Sequence, residues 1–351
     1  MGELVTTALL ADLRELIESA RQRVATTANR ELALLYWRVG RRIHTEVLGE
    51  ERAGYGKEIV STLSRELSAH YGRGFSRPNL HRMIRFATAF PDEEIVSTLS
   101  TQLGWSHFCE LLLVKEPLAR DYYAEMCRVE RWSVRTLREK VGGMLFERTA
   151  ISKKPAHLIE QELKTLREED RLTPDLVFRD PYFLDFLGLT GSYSERDLES
   201  AILRELETFI MELGSDFSFV ARQKRIVIDD EDFYIDLLFY HRGLRRLIAI
   251  ELKLDRFKPA DKGQVELYLR WLDKHERREG EESPLGLILC ASKRHEMIEL
   301  LELEATGIHV AEYLTALPPQ ELLEERLHAA IERAQQRAQL LGPSADDEGD
   351  A

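Results

Sequence analysis

From Arg246 to Leu254 the chain reads RLIAIELKL. The stretch is rich in Ile and Leu, the composition of a strand buried on both faces. Glu251 and Lys253 interrupt it. An unpaired buried charge costs several kcal/mol, so a fold that buries this strand must provide partners for both. That requirement constrains the chain more than any other stretch.

The preceding segment, DFYIDLLFYH at 232–241, reads as the neighbouring strand. Only RGLR separates the two. A two-residue loop at Gly243-Leu244 suits a hairpin turn with glycine first. That loop sets Asp236 opposite Glu251, Leu238 opposite Ala249 and Tyr240 opposite Leu247. Strand side chains alternate, so Asp236, Glu251 and Lys253 share one face. Ile235, Leu237, Phe239, Ile248, Ile250 and Leu252 take the opposite faces. Two carboxylates directly across a hairpin repel unless a cation or proton sits between them. The arrangement suits a hard divalent cation held by oxygen ligands, with an ammonium alongside. A longer loop or a bulge would shift the register. A salt-bridge network that merely ties the strands together is the plain alternative.

A third acid comes from the segment before these strands, where SERDLESAILRELETFIMEL reads as one helix. Glu199 lies on its stripe Glu199, Leu203, Leu206, Ile210, Leu213, whose apolar character turns it toward the sheet. Glu205 lies off that line and is kept as the alternative. On the following helix, PADKGQVELYLRWLDKH, the residues Gln264, Tyr268 and Trp271 fall on one face. Gln264 begins that face near the strand ends.

The order from about 196 is helix, three strands, helix, strand, then a short helix and a last strand, GIHVAEYL: a compact α/β domain. The first part differs. Helical periodicity runs over 8–47, with Leu13, Ile17 and Ala20 on one face, then Leu35, Val39 and Ile43. Gly54 and Gly56 break the chain. Helices fit 57–70, 78–89, 94–103, 106–128 and 132–147. The expected division is a helical domain at 8–148, a connector at 149–195, the α/β domain at 196–316, a helix at 317–341 and a disordered acidic tail at 342–351. That last helix, with Leu322, Leu323, Leu327 and Ile331 on one side, either docks on its own domain or pairs two chains.

Net charge is −13, which argues against a polyanionic partner until its distribution is seen. Residues 1–150 hold 22 Lys/Arg against 20 Asp/Glu, and the remainder 27 against 42. Within the helical part, LSRELSAHYGRGFSRPNLHRMIRF reads as helix, glycine turn, helix, with Ser76 as cap and Pro78 in the first turn. Arg73, Arg77, Arg82 and Arg85 gather there with His81. This is a candidate helix-turn-helix, which sets such residues against phosphates or base edges. A solvated face of a helical bundle accounts for the same pattern.

These residues resemble the PD-(D/E)XK nuclease superfamily: an acid on a helix (Glu199), an Asp on the second strand (Asp236), Glu-x-Lys on the third (Glu251 and Lys253) and a Gln on the next helix (Gln264). The tripeptide alone is a weak signal; its strand context and the order of elements make it specific. From about 25 to 315 the chain is also similar to the bacterial YhcG-like family. FVARQKRI, YIDLLFYHRGLRRLIAIELK and KGQVELYL carry that likeness in the C-terminal part, and YWRVG, GFSRPNLHRM, LGWSH and WSVRTL in the N-terminal part. The resemblance implies a restriction-endonuclease-like domain with a central mixed sheet and metal-dependent hydrolysis of phosphodiesters; the expected substrate is DNA rather than RNA. Asp236, Glu251, the Leu252 carbonyl and Glu199 would hold Mg²⁺ or Mn²⁺. Lys253 would act on the attacking water and the phosphate, and Gln264 would position water or phosphate. Arg77, Arg82 and Arg85 would contact nucleic acid. A non-catalytic binding or assembly protein keeping the fold is the rival reading.

Other features read more plainly. The three cysteines, odd in number and far apart, suit a reducing cytoplasm, and no apolar run is long enough for a membrane. Trp105-Ser106-His107 reads as a capped helix start with Ser106 as cap. Trp37 and Trp132 read as core. The repeat EIVSTLS at 58–64 and 94–100 reads as two similar amphipathic helices.

Overall fold

The computed structural model describes residues 24, 27–46, 53–189, 191–214 and 216–341. The expected face Leu13, Ile17 and Ala20 and the tail 342–351 lie outside them. The chain divides into two compact units, Met1–Gly143 and Met144–Ala351.

Every regular element described in the first unit is helical: α1 (27–46), α2 (Ala53–Tyr71), α3 (Arg77–Ala89), α4 (Glu93–Leu99), α5 (Trp105–Leu111), α6 (Pro117–Val129) and α7 (Val134–Gly142), with a 3-10 turn at Arg73–Phe75. Gly54 and Gly56 fall inside α2 and do not break it. Pro117 instead splits the expected 106–128 helix, opening α6 at its first position, where its missing N–H costs nothing. The core face of α1 is Ala33, Leu34, Tyr36, Trp37 and Ile43, while Leu35 is exposed. That set brings both Leu34 and Trp37 inward, one residue off the expected stripe. Trp37 and Trp132 are buried as expected. Gly104, not Ser106, precedes α5, and the His107 ring accepts the Gly104 N–H through Nδ1 at 3.1 Å.

The second unit opens with α8 (Leu145–Arg148), α9 (Ala156–Glu169), α10 (Pro174–Val177) and β1 (Tyr182–Phe183). The stretch expected to connect domains therefore belongs to this unit, because β1 pairs in parallel with the last strand. There follow α11 (Glu195–Arg204), α12 (Leu206–Leu213), β2 (Phe217–Ile228), β3 (Glu231–His241), β4 (Arg246–Arg256), α13 (Pro259–His275), β5 (Leu285–Ser292), α14 (His295–Leu300), β6 (Ile308–Leu314) and α15 (Gln320–Leu341). Among the described residues the sheet has six strands in the order β1-β6-β5-β4-β3-β2. The pairs β2–β3 and β3–β4 are antiparallel; β4–β5, β5–β6 and β1–β6 are parallel. The sheet is mixed, as expected.

The antiparallel register holds, with Leu238 opposite Ala249 and Tyr240 opposite Leu247. The turn differs from expectation. Pairing ends at His241 and Arg246, and the left-handed residue of the four-residue loop is Arg245 (φ 51°), not Gly243. Such loops are built around a type I turn. Gly243 serves close approach instead: a Cβ there would lie 2.6 Å from Leu172 and 2.7 Å from the Asp216 carboxylate.

Helices cover both faces of the sheet. Val265, Tyr268, Leu269 and Leu272 of α13 pack with Leu238, Ala249, Ile288 and Cys290. Residue 286 sits under this helix, where a Cβ would meet Val265 at 2.5 Å, so only glycine lets α13 lie this close. On the other face the expected single helix breaks at Glu205 into α11 and α12. Leu198, Ala201, Ile202, Phe209 and Leu213 are buried, and Leu203, Leu206 and Ile210 only half so. The core face therefore lies one residue round from the expected stripe. Glu205 is exposed, which removes it as the helix acid. Leu323 and Leu327 of α15 are buried with Met144, against Phe183 and Leu314, so the last helix docks on its own unit. No described helix is long and apolar enough to cross a membrane.

Candidate active site

The site forms where the sheet opens. The β3–β4 ladder stops at Leu237 and Ile250, one residue short of Asp236 and Glu251. On the other side, β2 pairs with β3 at Arg222–Leu237 and at Lys224–Ile235, skipping Gln223 and Asp236. Asp236 is thus bordered on both edges by interrupted pairing. Its carboxylate fills the gaps. Oδ2 accepts the Leu252 N–H at 2.9 Å, and Oδ1 accepts the Gln223 amide at 3.0 Å. Leu252, whose carbonyl is the expected metal ligand, also holds Asp236 through its N–H.

Glu251 is buried, with 4% of its surface exposed. Its Oε1 accepts from Lys253 Nζ at 2.8 Å and from Gln264 Nε2 at 3.0 Å. Oε2 is buried and has no hydrogen-bond partner among the described residues. Gln264 also bonds the Tyr268 hydroxyl at 2.7 Å. Asp236, Glu251, Lys253 and Gln264 are therefore brought together as expected.

Glu199 is placed differently. It is buried, but Arg222 Nε meets its Oε1 at 2.6 Å and Gln223 Nε2 its Oε2 at 3.0 Å. Both oxygens are engaged by side chains. Among the described residues no three His, Cys, Asp or Glu side chains converge into a ready metal cage. Asp236 and Glu251 form the acidic pair, and Glu199 reaches Asp236 through Gln223.

The electrostatics follow from burial. Desolvation, then the charge of Asp236, push the Glu251 carboxyl up to about 7. Burial also raises Asp236, with Glu199 adding to the effect. Burial works against the Lys253 ammonium, but its hydrogen bond to Glu251 and the charges of Glu251, Glu195 and Asp236 together outweigh this and raise its pKa. Lys253 therefore stays charged at neutral pH. Two carboxylates that resist ionising together, Glu251 buried with an idle oxygen and Asp236 half-buried, are short of positive charge. A divalent cation fits that deficit. Mg²⁺ retains several waters and takes few protein ligands, so two carboxylates suffice.

Arg222, Gln223 and Glu195 were not singled out from sequence. Glu195 accepts the Leu254 N–H at 3.4 Å. A signal for Gln223 existed. Asp229 and Asp230 both have positive φ (48° and 64°) and close a two-residue turn between Ile228 and Glu231. Reading that Asp-Asp pair as a hairpin turn sets position 223 opposite 236.

The nucleic-acid candidates in the first unit divide. Arg73, Arg77, His81 and Arg82 are exposed around the 3-10 turn and α3. Arg85 donates to the Leu112 carbonyl at 2.7 Å, closing the end of α5. Arg85 is itself exposed, and this bond engages one nitrogen of its guanidinium.

An acidic helix residue, Asp on one strand, Glu-x-Lys on the next and Gln on the following helix, on a mixed sheet flanked by helices, define a nuclease domain of the PD-(D/E)XK class. The chain belongs to the YhcG-like family. Residues 12–148 match the DUF1016 N-terminal domain, and residues 175–328 match the YhcG PDDEXK nuclease domain. It is 35% identical over 343 residues to YhcG of Escherichia coli strain K12, provisionally designated a nuclease, covering 89% of this chain and 91% of that one. Solved structures with a weaker likeness include a repair endonuclease from Pyrococcus abyssi, at 21% identity and TM-score 0.25, over 37% of this chain and 50% of that one. EndoMS bound to double-stranded DNA matches at 19% identity and TM-score 0.28, over 37% and 48%. Likeness at that level adds nothing to the assignment.

Proposed function

We propose that the chain is a Mg²⁺-dependent nuclease that cleaves DNA in preference to RNA, with Mn²⁺ able to replace Mg²⁺. The observation that carries the metal is the idle, buried Oε2 of Glu251 beside a second acid that resists ionisation. Asp236 and Glu251 would hold the ion. When bound, it would polarise the scissile phosphate and make a bound water more acidic.

The chain's own residues supply the rest. Lys253, held charged, donates to the attacking water and to phosphate oxygens as negative charge grows on them. Gln264 fixes the angle of Glu251 from α13, and the Leu252 N–H does the same for Asp236. Glu199 acts from one step back through Gln223. The preference for DNA rests on reading α2, the 3-10 turn and α3 as a helix-turn-helix. Arg73, Arg77 and Arg82 would meet backbone phosphates.

The test compares wild type with Asp236→Ala and Lys253→Ala on duplex DNA, single-stranded DNA and RNA, with and without Mg²⁺. Loss of Mg²⁺-dependent cleavage in both variants is expected. Equal cleavage by all three proteins would sink the assignment of the site.

A further inference from the structure

Two neutral amides hold the two acids. Gln264 Nε2 donates to Glu251, and Gln223 Nε2 donates to Asp236 Oδ1 and Glu199 Oε2, both at 3.0 Å. An amide NH₂ has two hydrogens, so both hydrogens of Gln223 go to carboxylates. Arg222, from the adjacent position, takes the other oxygen of Glu199. Glu199 is thereby an anchor whose two oxygens fix two consecutive side chains of β2.

The backbone at Gln223 is unusual. It lies inside β2 with φ 45°, in the left-handed region. Non-glycine residues rarely adopt it, and such outliers persist where the surroundings impose them. No pairing is made between positions 223 and 236, although the flanking residues pair in register. The strand gives up a regular conformation at the position that brings an amide onto Asp236.

The choice of an amide has a physical reason. A lysine or arginine there would pair with Asp236, supplying the counter-charge and competing with a metal ion. A hydrogen-bonding neutral group sets the carboxylate's direction and leaves its charge unspent. The outer partners of a ligating carboxylate act in this way, and their loss costs roughly 10–100-fold in metal affinity.

We propose that Gln223 is a positioning residue of the nuclease site, a neutral clamp anchored on Glu199 that orients Asp236 toward a divalent cation without neutralising it. This rests on the reading of Asp236 and Glu251 as the metal-binding pair.

The backbone outlier makes the test clean. Glycine adopts φ 45° without strain, so Gln223→Gly removes the amide while keeping the strand. Mn²⁺ binding to the full chain without nucleic acid is measured by calorimetry for wild type, Gln223→Gly, Gln223→Glu and Asp236→Ala, with thermal melting alongside. Gln223→Gly should melt no lower than wild type, bind Mn²⁺ about tenfold more weakly, and regain cleavage at high Mn²⁺. Gln223→Glu, which adds a third acid in contact with two, should melt lower than wild type without metal and gain more from added Mn²⁺. Wild-type affinity in Gln223→Gly alongside lost binding in Asp236→Ala would overturn the clamp and leave the site standing. Unchanged binding in Asp236→Ala would overturn both. A melting loss in both Gln223 variants with Mn²⁺ affinity intact would mark a purely structural residue and overturn the clamp.

Discussion

Two carboxylates in the second unit, Asp180 half-buried and Glu251 buried, sit in opposite surroundings. Asp180 lies between Lys153 and Lys293 and accepts the Glu312 N–H at 3.0 Å. Burial alone would raise its carboxyl, but the two lysines override that and hold it far below the usual carboxylate range. Glu251 shares one lysine with a neighbouring Asp, and its carboxyl is pushed up to about 7. Asp180 has more cation than it needs; Glu251 has less, and one oxygen idle. The first arrangement is complete within the chain and ties the start of the second unit to β5 and β6. The second is complete only with something added. Burial and perturbation alone do not mark an active site, since both carboxylates have them; the sign of the imbalance does.

The contrast can be broken most forcefully by deleting each acid's surroundings. Asp236→Ala and Lys253→Ala should each cut Mg²⁺-dependent cleavage by about 10³-fold or more, the equivalent of several kcal/mol of lost charge stabilisation, while the protein melts normally. Single-turnover cleavage and calorimetry read both. Asp180→Ala should do the reverse. Stranding two lysines costs roughly 3–5 kcal/mol of stability, read by denaturant unfolding, with cleavage per folded molecule unchanged. If Asp236→Ala unfolds the protein and Asp180→Ala abolishes chemistry, the roles assigned to the two clusters are exchanged.

A subtler test uses pH. The folded pKa of Glu251, about 7, lies above its ordinary value of 4.5. The protonated form therefore favours the fold. The stabilisation is full below about 4.5 and is lost as pH rises through about 7. In metal-free protein, Glu251→Gln should be progressively more stable relative to wild type between pH 5 and 8, by up to roughly 3 kcal/mol. A difference that stays flat with pH would show that Glu251 is not destabilised by ionising. The smallest effect is expected where charges are neither buried nor enclosed. Arg77→Glu and Arg82→Glu should each weaken DNA binding several-fold and flatten its salt dependence by about one unit. Cleavage at saturating substrate should be unaffected.

How much of this was legible in the sequence depended on whether one local rule governed. The β3–β4 register was, because a loop centred on Gly243 and Leu244 gives the same pairing whether it holds two residues or four. Asp236, Glu251, Lys253 and Gln264 followed from it. The turn type was misjudged, since Gly243 serves the approach of Leu172 rather than a left-handed angle, a demand set by residues far away in the chain. The place of Glu199 at the site was legible; its partners were not. The polar run ARQKR looks like a solvated edge, and a strained backbone angle at Gln223 leaves no mark in composition. The bond that Arg85 makes was hidden for a similar reason. A basic side chain on a helix looks the same whether it faces a phosphate or caps a neighbouring helix at Leu112.

The close seat of α13 on β5 has an effect beyond packing. Gln264 reaches Glu251 from a helix whose height above the sheet is set by the bare backbone at Gly286, and Val265, the residue after Gln264, is the one that rests there. A side chain at 286 would press on the Val265 methyl, at the turn that carries the amide. A methyl group would thus act as a wedge under a lever, swinging Gln264 from its carboxylate while every charged residue of the site stayed in place. A Gly286→Ala chain with its acid–acid–lysine signature intact would then be expected to lose cleavage through one carbon atom on a strand that bears none of the chemistry.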